Sequence, residues 1–481
     1  MSLRPPTRSF PLLVLVAGLQ LGIAAAGEEK DVTIPQEGGA ERQEFPEHLE
    51  NSPSRFSDEP LAMNAEAIPR RPAPILEVGE KLLASGKLAR GLRLPTGAVW
   101  RPSLVVFGNF RTALQSFDDG DTRVSEWASR LDLFFGLQFS GTERLLLGVR
   151  PLDKDGQSVR RVFEPNSMAG WDDRALNADV TSLFFEGELG EIFPTLDRND
   201  RRALDIGFSV GRQPLLIQDG ILINDRIDAV AVTRNTLRPA GASNLRLTAL
   251  WGWNEVGRGD NLEDRSADLF GLFLELDTMK ATWNLDASMV DSREETGDAL
   301  FLAVSRVSSF GRLNATLRAA ASLPQDRETA ATGRGTLLFS ELSTNLGHTE
   351  HLIYLNGFRA IDDFSSVARD VDVGGPLERA GILFEARGVG SFGSALSSDA
   401  SRAMGGSLGA QFFAREGRRQ FILELGGRAG TDPTVEDEWA IGGRFQQAFG
   451  RRHIMQLDTY FSTHDVRRDG VGGRVEWQVK F

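Results

Sequence analysis

A side-chain period of two runs through most of this chain. From about Arg101 to Phe481, segments of roughly ten residues recur in which large apolar side chains alternate with polar or small ones, and turn residues separate the segments. In Arg130–Phe139, Leu131, Leu133, Phe135, Leu137 and Phe139 share one face, while Arg130, Asp132, Gly136 and Gln138 share the other, with Phe134 as the exception. Leu245, Leu247, Ala249, Trp251 and Trp253 alternate with Arg246 and Thr248 in the same way. So do Ala281, Trp283, Leu285, Ala287 and Met289 with Thr282, Asn284, Asp286 and Ser288. Successive side chains of a strand point to opposite faces, so each set marks one apolar and one polar face. A long file of such strands must hide its apolar faces in a core or turn them toward lipid.

The start of the chain chooses between these. Arg4 and Arg8 precede the short apolar run Pro11–Ala24, and Ala24-Ala25-Ala26 supplies small residues before Gly27. This is the pattern of a secretory signal peptide over 1–26. No other stretch approaches the 18 or so apolar residues of a membrane helix. Export, alternating strands and the absence of a spanning helix together predict an all-β fold. The expectation is an antiparallel up-and-down transmembrane barrel over 98–481, in the outer membrane of a Gram-negative cell once the leader is removed.

The connections sharpen this. Ser140–Glu143, Asp277–Lys280, Ser309–Arg312, Leu346–Glu350, Arg415–Arg419 and Phe449–Arg452 are tight, and longer links such as 151–176, 323–333 and 361–377 lie between them. Short periplasmic turns opposite long external loops are the barrel arrangement. About 19 segments fit the pattern, but single-chain bacterial barrels have even strand numbers. The short–long alternation fails between Leu346 and Arg415, which locates the surplus segment. The prediction is about 18 strands, within about 16–20. At the C-terminus, Gly473, Val475, Trp477, Val479 and Phe481 form one face of a final strand. Val475, Trp477, Val479 and Phe481 resemble the terminal signal that bacterial barrels present to their assembly machinery, the first expected partner. Outer-membrane lipid and lipopolysaccharide are the second.

Between leader and barrel, 27–97 is acidic. Residues 27 to about 74 hold many Glu and Pro and few large apolar residues, too little to offset the entropy of ordering. Ile75–Leu88 reads as a short helix. This segment could dock a periplasmic export complex. The formal charge is −13, with Arg4 and Arg8 on the leader, so nucleic acid is not an expected partner. The absence of Cys excludes thiolate metal sites and Cys nucleophiles. His48, His348, His351, His453 and His464 fall in the tail, a turn and strand ends, and no nucleophile elbow accompanies them. Asp118-Asp119-Gly120-Asp121 lacks the remaining ligands of a calcium loop and reads as a polar turn. No catalytic residue, metal or cofactor is expected.

One segment carries more. Ala203–Gln213 reads as a strand ending in Gly211-Arg212-Gln213, followed by Asp219-Gly220, then Asp225 and Asp228 on a return strand. This resembles the alginate-export porin family, in which a strand ending in Gly-Arg-Gln leads into an Asp-Gly loop and an Asp-containing return strand. The motif covers some twenty residues, and length and the terminal Phe extend the likeness to about Arg101–Phe481. The resemblance implies an outer-membrane barrel that passes an anionic polysaccharide outward. A polyanion calls for fixed guanidinium groups. By alternation Arg111, Arg130, Arg246, Arg318, Arg428, Arg444 and Arg474 point inward, but so do Asp132, Glu186, Glu188, Asp205, Asp286, Glu424, Asp458 and Glu476. The expected lumen is mixed in charge. Parity sets Arg212 on the apolar face of Val210, which calls for a bulge at Gly211 or a position beyond the bilayer. The alternative function is a plugged or structural barrel that organises a periplasmic or surface complex through its N-terminal segment.

Removing the terminal aromatic tests the assembly reading. Phe481→Ser is expected to lower the membrane yield of folded barrel, scored as the heat-modifiable band on a gel.

Overall fold

The structure, a computed structural model, describes residues 72–79, 90–154, 157–164, 167–168, 171–196, 204–293, 296–325, 327–329, 331–386 and 388–481. These belong to one compact unit, Arg70–Phe481. The signal peptide expected at 1–26 and the unstructured tail up to position 71 lie outside the described residues.

Eighteen strands form the wall. They are β1 (Ser103–Asp118), β2 (Arg123–Gln138), β3 (Arg144–Val149), β4 (Val180–Glu188), β5 (Ile206–Ile217), β6 (Ile223–Leu237), β7 (Asn244–Trp253), β8 (Asp268–Asp277) and β9 (Thr282–Asp291). The second half is β10 (Ala299–Phe310), β11 (Leu313–Pro324), β12 (Gly335–Asn345), β13 (Leu352–Asp362), β14 (Ala403–Ala414), β15 (Arg419–Gly430), β16 (Glu438–Phe449), β17 (His453–His464) and β18 (Gly470–Lys480). Each pairs antiparallel with the next, and β18 pairs with β1 from Val471↔Asp118 to Lys480↔Asn109, so the sheet closes. This is the predicted antiparallel barrel, with 18 strands.

Alternation sets the faces as read. Trp251, Leu285 and Trp477 are about half exposed on the outer surface, at 49%, 49% and 53%. Their neighbours Asp286, Arg474 and Glu476 are buried inside. Exposed Trp127, Trp251 and Trp439 sit toward the long connections and exposed Trp283, Phe449 and Trp477 toward the short turns, giving two aromatic levels without help from Tyr.

One expectation needs correction. Within the helix read over Ile75–Leu88, Leu76–Val78 is a strand, pairing with Leu104–Val106 of β1. The cause is an open edge. β18 pairs with β1 only from Asn109 onward, so the first residues of β1 offer unpaired backbone groups that this strand takes up. Residues 80–89 lie outside the described set. The break in turn parity between Leu346 and Arg415 does mark the surplus segment. It falls on the connection 363–402 between β13 and β14, which turns into the barrel instead of adding to the wall.

That connection changes the interior. Leu377, Leu383, Phe384, Phe392 and Leu396 pack with Phe301, Leu337 and Phe358 of the inner wall into one apolar core. The long-connection half of the lumen is therefore largely packed around this core. The turn-side half keeps the polar lining.

The face assignment is testable at adjacent residues. With the outer face turned to lipid as expected from the sequence, Leu285→Arg should cost about 2–4 kcal/mol of barrel stability. Asn284→Arg, one residue away on the inner face, should change it by less than about 1 kcal/mol. Unfolding in lipid vesicles, followed by Trp fluorescence, separates the two.

Candidate functional site

The Gly-Arg-Gln segment builds a hairpin that enters the lumen. β5 and β6 pair without a register shift from Ile206↔Arg234 to Ile217↔Ile223. Gly211 has φ +120°, and a Cβ there would meet the Leu183 carbonyl oxygen at 2.2 Å, so only glycine fits. No bulge re-aims Arg212. It stays on the face of Val210, opposite Asp228, and is neutralised by Glu255 and Asp228. Gln213 is buried and donates to the Ala229 carbonyl at 3.3 Å. At the tip, Gln218 donates to Asp286 of β9, and Asp219 pairs with Arg318 of β11. The Gly220 carbonyl accepts from Arg369 at 2.7 Å. Asp225 accepts the Gly257 N–H at 2.8 Å. The motif thus spends its polar groups on fastening a hairpin inside the barrel.

The connection 363–402 meets that hairpin and the wall. Ala368–Arg369 pairs in parallel with Ile223–Asn224. Glu424 accepts the N–H groups of Ile382 and Leu383 at 3.1 and 3.0 Å and the Tyr354 hydroxyl. Arg130 donates to the Gly388 carbonyl at 2.6 Å, and Arg428 to that of Ser397 at 2.9 Å. Arg444 bridges Asp458 and Glu385 at 2.8 and 2.7 Å. Arg474 pairs with Glu476 and lies over the Phe392 ring. Arg111 pairs with Glu476 at 2.5 Å.

The ten side chains expected to line a pore have different surroundings. Arg428 and Arg474, at 4% and 1% exposure, lie beneath the connection and border no open water, which corrects their reading as pore-lining. Glu186, Glu188, Arg246 and Asp286 border a chamber of about 750 Å³ on the turn side. Arg246 pairs there with Glu275 at 2.6 Å and Glu186 with Arg144 at 2.7 Å.

A second chamber, about 970 Å³, lies across the hairpin, and Leu216 and Asp219 border both. On the long-connection side is a cleft of about 510 Å³. Arg150, Asp225, Arg226 and Asp370 border both this cleft and the second chamber, forming their common wall. The wall is an ion-pair cluster. Arg226 reaches Asp370 at 2.5 Å and Asp372 at 3.2 Å. Arg150 holds Asp132 at 2.9 Å and also Asp372, and Arg130 stands 3.9 Å from Asp372. Asn261 clamps the strap by donating to the carbonyls of Asp370 and Val373 at 2.7 and 2.9 Å. Beside it, Arg379 is exposed to the second chamber with no ion-pair partner among the described residues. Sequence reading missed Arg150, Arg226, Asp370, Asp372 and Arg379. The signal available was Asp370-Val371-Asp372, two carboxylates inside a long link.

The likenesses to known proteins are of fold. No family model and no curated relative matches the sequence. Among solved structures, Pseudomonas aeruginosa OccK5 (OpdH) superposes with a TM-score of 0.52 at 12% identity, over 79% of this chain and 98% of that one. OccK9 (OpdG) gives 0.52 at 13%, with the same coverage. The outer membrane protein OpdK, also solved with vanillate, gives 0.51 at 12%, again over 79% and 98%. This chain shares the barrel fold of those outer-membrane proteins.

At the start of β16, Glu436, Glu438 and His464 come together, but the Arg467 guanidinium lies among them, 2.7 Å from Glu438 and 3.2 Å from the His464 ring, and pairs with Glu436. Asp118 and Asp119 close the polar turn by accepting the N–H groups of Gly120, Asp121 and Thr122 at 3.0, 3.0 and 2.7 Å.

The cluster has a definite pH dependence. Burial alone would raise the Asp372 carboxyl, but the guanidiniums of Arg150, Arg226 and Arg130 hold it below the ordinary value. A depressed carboxylate contributes stability above its unfolded value of about 3.9 and loses it only as pH falls through the lower folded value. The Asp372 contribution to anchoring 363–402 should therefore persist from pH 7 to about pH 4, read as the difference in protease access between the wild type and Asp372→Asn. Asp372→Asn, which strips three guanidiniums of their shared counter-charge, should weaken the anchoring by about 3 kcal/mol, read as faster cleavage of that connection at neutral pH.

Proposed function

We propose that the chain is an outer-membrane channel for small charged solutes, narrowed by the β5–β6 hairpin and by the connection 363–402. The observation that carries this is the shared wall. An outer cleft and an inner chamber meet at Arg150, Asp225, Arg226 and Asp370, so a solute crossing between them passes an ion-pair cluster held on a loop. Charges arranged on a loop can part without breaking the barrel. Arg379, which has no ion-pair partner among the described residues, faces the inner chamber and suits a carboxylate, which a planar guanidinium binds bidentately. OpdK, a barrel of this fold, has been solved with vanillate, a small organic acid, which supports the reading.

A second reading, export of an anionic polysaccharide, draws on the Gly211–Asp228 motif. Against it stands the use of the inner cations. A polymer needs a file of available guanidiniums, whereas Arg130, Arg150, Arg226, Arg318 and Arg444 are each engaged by carboxylates. The plugged, structural barrel is the third reading, and outer-membrane lipid and the assembly machinery are partners in all three.

Planar-bilayer recording tests the proposal. The wild type should conduct small ions, with selectivity that falls as salt shortens the screening length to about 8–10 Å at 0.1–0.15 M. Arg379→Glu and Arg246→Glu should move the reversal potential toward cations, and Asp372→Asn should raise conductance. A wild type closed to ions, with an equally closed Asp372→Asn, would make the plugged barrel the better reading. Block by oligomeric uronate but not by monomeric organic acids would favour export.

A further inference from the structure

We infer that the outer wall carries a site for a phosphorylated outer-leaflet glycolipid, centred on Arg359. This rests on the proposed membrane setting and adds a ligand to a face that the channel reading leaves blank.

On β13, Leu355, Arg359 and Ile361 are exposed outward, while Tyr354, Asn356, Phe358 and Ala360 are buried inward. Arg359 lies between Leu338 of β12 and Met404 of β14, both exposed apolar side chains. It has no ion pair or hydrogen bond among the described residues. On β10, Arg306 also points outward, paired in register with Trp283 and Leu317. Its guanidinium lies 5.5 Å from the ring centres of both Trp283 and Phe310, its Nε is buried without a hydrogen-bond partner, and no carboxylate among the described residues meets it.

The two arginines border one groove of about 700 Å³ on the outer wall. Its floor is low because Ala319, Ser340 and Gly357 stand where neighbouring outward positions carry Leu, and Leu317 and Leu338 rise beside it. No Asp or Glu borders the groove. Two cations and no anion on a hydrocarbon-facing wall are costly unless the charge reaches water or meets a counter-charge. Arg306 is stacked on aromatic rings toward the turn side. Arg359 is not, and it lies three residues below the end of β13, where the chain enters 363–402 on the long-connection side. A guanidinium reaching up from that depth arrives at the headgroup level of the outer leaflet, where the lipid carries phosphate. The groove falls away from Arg359 toward Trp283, as an acyl chain does below its phosphate. Guanidinium and phosphate make short, bidentate, charge-assisted hydrogen bonds, and the apolar groove takes the chain.

The test uses the full chain, first inserted into phosphatidylcholine vesicles and checked for heat-modifiable mobility, then released in mild detergent. It is incubated with equimolar lipid A, dephosphorylated lipid A, phosphatidylglycerol or phosphatidylcholine, and retained lipid is counted by native mass spectrometry. Lipid A should be retained over the other three. Arg359→Leu should lower its retention about fivefold, the effect of one cation at an anionic surface, and Arg359→Lys should keep most of it. Should Arg359→Leu fail to fold, the comparison of lipid A with its dephosphorylated form on the wild type decides alone. Equal retention of those two, equal retention of phosphatidylglycerol, an unchanged Arg359→Leu, or a homodimer that covers the groove each overturns the inference. A wild type that enters no vesicle overturns the membrane reading as well, whereas insertion without lipid preference overturns only this one.

Discussion

An open sheet edge leaves a row of backbone N–H and C=O groups without partners, and only full closure removes it. The seam between β18 and β1 meets that constraint, and much else in this barrel follows from it. Barrel diameter grows with strand number, and about eight strands already give an interior that side chains just fill. Closing 18 strands therefore leaves a lumen too wide for the wall's own side chains, and the remaining space must hold water or chain. Here it holds both: a polar, chambered half near the short turns and a packed half where the hairpin tip and 363–402 fold inward.

Filling a barrel with loop imposes an electrostatic condition. Inward charges that would be solvated in an open pore are now partly buried, and a buried charge must be paired. The inner wall satisfies this by reaching onto the loop or across to a neighbouring strand. Glu424 takes two backbone N–H groups, Arg130 and Arg428 take carbonyls, and Arg444 takes a loop carboxylate together with one from β17. Arg379 differs in being exposed and without an ion-pair partner among the described residues.

The wall was legible in the sequence because a period of two is a local property: Trp251 and Leu285 declare their face through their immediate neighbours. Strand number was nearly legible for the same reason. The surplus lay in 363–402, whose apolar residues resemble strand residues because they too are buried, but against the inside of the wall. What could not be read was which inward charge meets which partner. Arg130 and Gly388 are 258 positions apart, and no local pattern links them. Arg428 and Arg474 looked like pore residues because alternation gives direction and says nothing of what covers them. The Gly-Arg-Gln motif marked an unusual place correctly, yet its role emerged only from Gly211, whose positive φ lets β5 pass close to β4, and from Asp219 reaching across to β11. The strand at Leu76–Val78 was hidden because its partner is a free stretch of β1, a feature of register and not of composition.

The connection 363–402 leaves the wall at β13, yet it binds β1 and β2 through Gln115, Glu126 and Arg130 and binds β15 and β16 through Glu424, Arg428 and Arg444. These strands flank the seam on both sides. The connection cannot complete its docking until the first and last strands have been brought together, since it has partners on each side of the seam. Its contacts are among the most distant in sequence in the molecule, and contacts of that kind form late and slowly. The barrel is thus closed wide and filled afterwards: docking of the apolar connection follows closure of the seam.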